Sequence, residues 1–187
     1  MALFVLCYNI YMRFTDRADA GKKLAEKLAE YRGRDTVVYA LPRGGVVIGW
    51  EVAKALGAPL DLIVCRKIGH PSNPEYAICA IAEDGHMLCN EAERAEVDAK
   101  WFAEAAKNEQ GEVKRRRERY VGDGKPVTAV GKTAIIFDDG VATGLTLLLA
   151  IRELKEHQKP KRVIAAVPVS PRDTAQKIAK EADEFVA

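Results

Sequence analysis

Ile135-Ile136-Phe137-Asp138-Asp139-Gly140-Val141-Ala142-Thr143-Gly144-Leu145-Thr146 is the stretch from which the fold can be read. Its apolar opening follows the turn formers Gly124, Pro126 and Gly131, the setting of a buried strand. Two adjacent carboxylates stand where that strand would leave a sheet. A glycine-containing turn comes next, and then an apolar helix pattern over Leu147-Leu148-Leu149-Ala150-Ile151-Arg152-Glu153-Leu154. Strand, turn and helix in this order set several backbone N–H groups at a helix N-terminus, where the dipole is positive and the first donors lack acceptors. Such an end binds phosphate. The hydroxyls of Thr143 and Thr146 add donors, and Gly140 and Gly144 let the backbone come close to a ligand.

Two acids beside a phosphate cradle repel the ligand unless it carries hydroxyls for them to accept or a divalent cation that screens the charge. A sugar phosphate offers the first and a magnesium diphosphate the second. 5-Phosphoribosyl-1-diphosphate has both. Other phosphate motifs fail: no lysine precedes Thr146 as a Walker loop requires, and no Gly-x-Gly-x-x-Gly follows a strand.

The segment from Ile135 to Thr146 resembles the diphosphate-sugar signature of type I phosphoribosyltransferases: apolar strand, two acids, short spacer, Thr-Gly-x-Thr. The resemblance implies that Asp138 and Asp139 hold the ribose hydroxyls. It implies that the loop Gly140, Val141, Ala142, Thr143, Gly144, Leu145 and Thr146 wraps the 5′-phosphate. It covers most of residues 12–187. It is closest to bacterial and archaeal members of undefined substrate, which share the Leu-Pro-Arg-Gly-Gly, Arg-Lys-Ile-Gly and Asp-Asp-Gly-Val-Ala-Thr-Gly segments.

Earlier in the chain, Thr36–Leu41 reads as a strand ending at Pro42-Arg43-Gly44-Gly45, with an apolar helix from Val46 to Leu56. This is a second strand–glycine turn–helix unit, and Arg43 adds a cation that can pair two phosphate oxygens. The resemblance implies that Arg43, Gly44 and Gly45 bind the diphosphate. Leu60–Cys65 reads as a third strand ending at Arg66-Lys67, two cations at an edge where open α/β sheets bind ligands. By the same resemblance Arg66 and Lys67 face the departing diphosphate. With Asp138 and Asp139 they form the expected catalytic set. The glycine- and proline-rich stretch from Ile68 to Tyr76 predicts a loop that closes over the reacting centre, with His70 as solvated loop.

Elsewhere, Thr15-Asp16 caps a helix to about Tyr31, and Asp84-Gly85 predicts a hairpin between Ala77–Ala82 and His86–Cys89. Asn90 caps one long helix to about Tyr120. Its run Lys114–Arg119 is interleaved with Glu109, Glu112 and Glu118, which makes it a solvated face and argues against a nucleic-acid partner. Lys161–Val169 gives another strand. Ser170-Pro171 opens a helix, and Phe185-Val186-Ala187 starts one more strand. Residues 1–11 are apolar but too short to span a bilayer, which takes about 20 residues. They read as an extension ahead of a natural start at Met12, and the C-terminus reads as truncated.

At 187 residues, 48% hydrophobic and 30% charged, the chain suits one domain with a sizeable core. A net charge of +2 leaves any positive site local. The four cysteines (Cys7, Cys65, Cys79, Cys89) lack C-x-x-C spacing and read as thiols of a reducing cytoplasm.

The expected fold is α/β: a parallel twisted sheet with helices on both faces and a small hairpin and long-helix insertion. The implied reaction moves the 5-phosphoribosyl group from phosphoribosyl diphosphate to a nitrogenous base or amine, releasing diphosphate. Mg2+ is the implied cofactor, carried by the substrate, with Asp138 or Asp139 touching it through water. In enzymes for 6-oxopurines an Asp commonly precedes the Thr-Gly, whereas here Ala142 does, which disfavours that base class. Two alternatives stay open. One is a non-catalytic phosphoribosyl-diphosphate sensor or regulator using Arg115, Arg116, Arg117 and Arg119 on nucleic acid. The other is a phosphorylase-like use of the site. The family often dimerises, so a homodimer is among the expectations.

Overall fold

The computed structural model describes residues 14–122, 124 and 126–187, so residues 1–11 and the start at Met12 lie outside them. In chain order the first elements are α1 (Arg17–Lys27), β1 (Thr36–Ala40), α2 (Gly44–Leu56), β2 (Leu60–Leu62), β3 (Arg66–His70), β4 (Asn73–Ile81) and β5 (Met87–Cys89). They are followed by α3 (Glu91–Glu96), α4 (Ala99–Val121), β6 (Thr133–Phe137), α5 (Leu145–Glu153), β7 (Arg162–Ala166), α6 (Arg172–Glu181) and β8 (Glu184–Val186). The main sheet runs β2-β1-β6-β7-β8, every pair parallel.

Each central strand is an unbroken apolar run because both of its faces are covered. Val37, Tyr39, Ile136 and Ala165 pack with Leu147 and Ile151 of α5 and Ile178 of α6. The alternate residues Val38, Ile135, Phe137 and Ile164 pack with Leu24 of α1 and with Ile48 and Val52 of α2. The expected parallel α/β layering is therefore present. β3, β4 and β5 form a separate antiparallel sheet whose own core joins Ile68, Ile78 and Ile81 to Phe102 and Val113 of α4. Ala80 and Ala82 also reach the core that contains α5, so this insertion sits over that helix. No helix among the described residues is long and apolar enough to cross a membrane.

Four expectations are corrected. The loop predicted over Ile68–Tyr76 is a bulged hairpin: β3 and β4 pair from Arg66↔Ile81 to His70↔Asn73, with register shifts around Gly69. His70 Nδ1 accepts from the Ser72 N–H (3.1 Å) and helps close its turn. Glycine and proline here mark a bulge and a tight turn. The long helix from Glu91 is broken in two, since Val97 is extended and Asp98 caps α4 by accepting from the Trp101 N–H at 2.8 Å. The strand predicted over Leu60–Cys65 pairs only through Leu62.

Finally, Cys79 and Cys89 form a disulfide across β4 and β5, with Cα atoms 4.0 Å apart; Cys65 is free and buried. The two lie equally far on either side of Asp84 in the turn, so hairpin register sets them opposite each other. The cytoplasmic location expected from four thiols loses that support.

Candidate active site

The chain goes from β1 outward to β2 and returns on the other side of β1 at β6, so strand order reverses beside β1. Open α/β sheets bind ligands outside the carboxyl ends of the strands at such a switch point. Both glycine-containing turns leave the sheet there. The Leu41 N–H donates to the Phe137 carbonyl (2.9 Å), holding the two exits together. The first turn carries the Pro42–Arg43 peptide in the cis form and starts α2 at Gly44.

The turns touch so closely that side chains are excluded. A Cβ on Gly45 would lie 2.8 Å from the Phe137 carbonyl and 3.1 Å from the Asp138 Cα, and one on Gly44 would overlap the Asp139 carboxylate. Arg43 is exposed and makes no ion pair among the described residues. The first turn's sequence-predicted residues and the two acids are thus neighbours.

The second turn is held from behind. Gly144 is left-handed (φ 79°), and a Cβ there would lie 2.7 Å from Thr174 Cγ2. Thr174, buried in α6, donates its hydroxyl to the Ala142 carbonyl at 2.7 Å. The Val141 N–H donates to the Val169 carbonyl at 3.3 Å. The Leu148 N–H donates to the Gly144 carbonyl (2.9 Å) as the first helical bond of α5. The N–H groups of Leu145, Thr146 and Leu147 therefore stand ahead of the ladder at the positive end of the helix.

Burial pushes the Asp138 carboxyl up to about 7, and the neighbouring Asp139 charge adds to this; the Asp139 N–H donating to Asp138 Oδ1 (2.8 Å) pulls the other way. Asp139 instead meets a cation. Arg17, at the start of α1, donates from Nε (2.9 Å) and Nη2 (2.7 Å) to Asp139 Oδ2. The two acids thus differ in kind: one is desolvated and weakly acidic, the other is charge-paired and more open.

Arg66 and Lys67 open β3, on the insertion. Each already has a carboxylate: Arg66 Nε lies 2.7 Å from Glu109 of α4, and Lys67 Nζ lies 2.7 Å from Glu75 of β4. Burial pushes the Cys65 thiol, next to Arg66, upward, and the Glu153, Asp84 and Asp138 carboxylates add to this in that order. In the basic run on α4 three of the four arginines are also engaged, and Arg119 is exposed. Arg115 and Arg116 bind Glu112, and Arg117 donates to the Leu62 carbonyl at 2.7 Å.

Arg17 and Thr174 were not foreseen. No local pattern marks Arg17, whose partner is 122 residues away. Thr174 reads from sequence as an ordinary first-turn residue.

Residues 11–186 match the profile of the phosphoribosyl transferase domain. The chain belongs to this family. A Mycobacterium tuberculosis protein (strain H37Rv) named "Putative phosphoribosyl transferase" is 42% identical over 175 residues, which is 92% of this chain and 39% of that protein. Its counterpart in strain CDC 1551 gives the same values. The chain thus spans about two fifths of the length of these curated relatives. The crystal structure of TT1426 from Thermus thermophilus matches with 36% identity and a TM-score of 0.72, over 94% of this chain and 84% of that one.

Proposed function

We propose that this phosphoribosyltransferase domain binds 5-phosphoribosyl-1-diphosphate and transfers its phosphoribosyl group to a nitrogenous base, releasing diphosphate. The observation that carries the reading is the contact between the Arg43-Gly44-Gly45 turn and Asp138-Asp139, with the α2 and α5 N-termini flanking one sheet edge. One N-terminus suits the 5′-phosphate and the other the diphosphate, while the acids between them suit the ribose hydroxyls.

In the reaction, the bond from C1 of the ribose to diphosphate breaks as a bond to the base nitrogen forms. The protein's work is to hold the ribose in line and to neutralise the leaving group. Arg43 is free to do the latter. Arg66 and Lys67 can join by exchanging Glu109 and Glu75 for diphosphate oxygens. Arg17 keeps one acid neutralised until the ribose hydroxyls arrive. The acid pair also fits a cation: Asp138 is a desolvated carboxyl beside a second carboxylate. Mg2+ carried on the diphosphate would lie beside Asp138 or Asp139 through water and supply charge neutralisation.

Ala142, where an Asp is usual for 6-oxopurines, turns the choice of base away from that class. A nucleic-acid regulator is the weaker reading, because Arg115, Arg116 and Arg117 already have partners. The test is calorimetric titration of phosphoribosyl diphosphate with Mg2+ into the intact chain and into Asp138→Asn/Asp139→Asn, followed by a screen of bases for diphosphate release. Binding lost in the double variant supports the reading, and no binding by the intact chain overturns it.

A further inference from the structure

α5 carries the phosphate cradle at its N-terminus, and at its other end it closes a second constellation. After Glu153 the helix widens into a π-helical segment, Leu154–Gln158, and His157, four residues on, lies on the same side as Glu153. Facing them is the β4–β5 turn with Asp84 and His86. Each of the four offers one ligand atom, and these atoms lie within 4.8 Å of one another. His86 Nδ1 is 3.2 Å from Asp84 Oδ2 and 3.1 Å from Glu153 Oε1. His157 Nε2 is 3.1 Å from Asp84 Oδ2 and 3.5 Å from Glu153 Oε2. The two imidazoles stack at 5.9 Å between centroids.

The geometry points to a divalent transition-metal site of the zinc class, held by Asp84, His86, Glu153 and His157. Four ligands at about 2.0–2.1 Å around a tetrahedral ion stand about 3.3–3.4 Å apart. The four nitrogen–oxygen separations, 3.1 to 3.5 Å, are close to that edge. Glu153 meets His86 through Oε1 and His157 through Oε2, and one ligand atom from each residue lies within 4.8 Å of the rest. Two imidazoles with two carboxylates form a borderline donor set that suits zinc and its neighbours over magnesium, which takes oxygen and keeps its waters. Two carboxylates and two neutral imidazoles carry a charge that a divalent ion cancels.

Position favours a cation too. The site sits at the C-terminal end of α5, the negative end of its dipole. Glu153, whose side chain is only 15% exposed, gives the ion a sheltered ligand. The site is separate from the phosphate cradle: eight residues of helical rise, about 12 Å, divide Leu145 from Glu153.

The ion would clamp the β4–β5 turn to α5. β4 pairs with β3, which carries Arg66 and Lys67, so the clamp fixes the insertion over the helix that cradles phosphate. The inference does not depend on which base, if any, the domain accepts.

The test strips the full chain with chelator and titrates it with zinc chloride at about pH 7.5, with circular dichroism as a check on folding. The expected result is one equivalent of zinc per chain and a raised thermal midpoint. Cobalt in place of zinc should give the intense visible bands of a tetrahedral site. His86→Ala/His157→Ala should weaken binding more than ~100-fold, since even outer-shell partners of a metal ligand are worth 10–100-fold. The isosteric Glu153→Gln should weaken it while leaving the dichroism unchanged. Magnesium should give no heat that the double variant removes. Substoichiometric zinc in the intact chain, or zinc binding untouched in the double variant, would overturn the site and leave a histidine–carboxylate ion-pair clamp.

Discussion

Asp138→Asn should stabilise the fold at alkaline pH while destroying ligand binding. In the folded chain burial raises the Asp138 carboxyl from 3.8 to about 7. Between about pH 4 and pH 7 the folded state therefore keeps a proton that the unfolded chain has released. Stability falls as pH rises through that window, by about 1.4 kcal/mol per pH unit. Over the roughly three units from 3.8 to about 7, this amounts to about 4 kcal/mol above pH 7. Asparagine is neutral throughout, has nearly the same shape, and its carbonyl can still accept from the Asp139 N–H that Asp138 now holds at 2.8 Å.

Urea denaturation of both proteins at about pH 5, 6, 7 and 8 in chelating buffer reads the difference directly. The variant should already lead by about 1–2 kcal/mol at about pH 5, and the lead should widen to about 4 kcal/mol at about pH 8. At that pH the stabilised variant should no longer bind phosphoribosyl diphosphate, a trade of stability against function. Parallel pH profiles for the two proteins would refute the claim that burial holds this carboxyl neutral.

Thr174→Val keeps the shape in α6 but leaves the Ala142 carbonyl without its 2.7 Å donor; a loss of about 1–3 kcal/mol and weaker phosphoribosyl-diphosphate binding should appear in denaturation and titration. Gly45→Ala forces a methyl against the Phe137 carbonyl at the end of β6 and against the Asp138 backbone just past it. It should cost about 1–3 kcal/mol by denaturation and abolish binding. Arg17→Gln should change stability by under about 1 kcal/mol, since the Arg17 side chain is 60% exposed, yet alter titration with the diphosphate ligand. Alkylation of the unfolded, non-reduced chain followed by peptide mass spectrometry should modify Cys65 and spare Cys79 and Cys89. Reduction should lower stability by about 2–3 kcal/mol for a loop this short.

The parallel layering, both glycine turns and the acid pair were legible from the order of residues alone. Those features are written in contiguous segments: an apolar run buried on two faces, then the turn residues that start a helix and leave its first N–H groups free. β6, its turn and α5 needed no distant partner to be recognised. The hairpin around Asp84-Gly85 was legible for the same reason.

Other features depended on which elements share a face or an edge, and they emerged only once the chain was folded. Arg17 meets Asp139 across 122 positions, Thr174 holds Ala142 across 32, and Arg66 finds Glu109 across 43. The glycine and proline signals around Ile68–Tyr76 were real, but the pairing of β3 with β4 turned an expected free loop into a bulged hairpin. Asp98 broke the long helix by offering its carboxylate to the Trp101 N–H, an option that the charged helical pattern around it concealed. Charge and hydrogen-bond partners are chosen by packing, and packing brings together residues whose separation along the chain carries no signal.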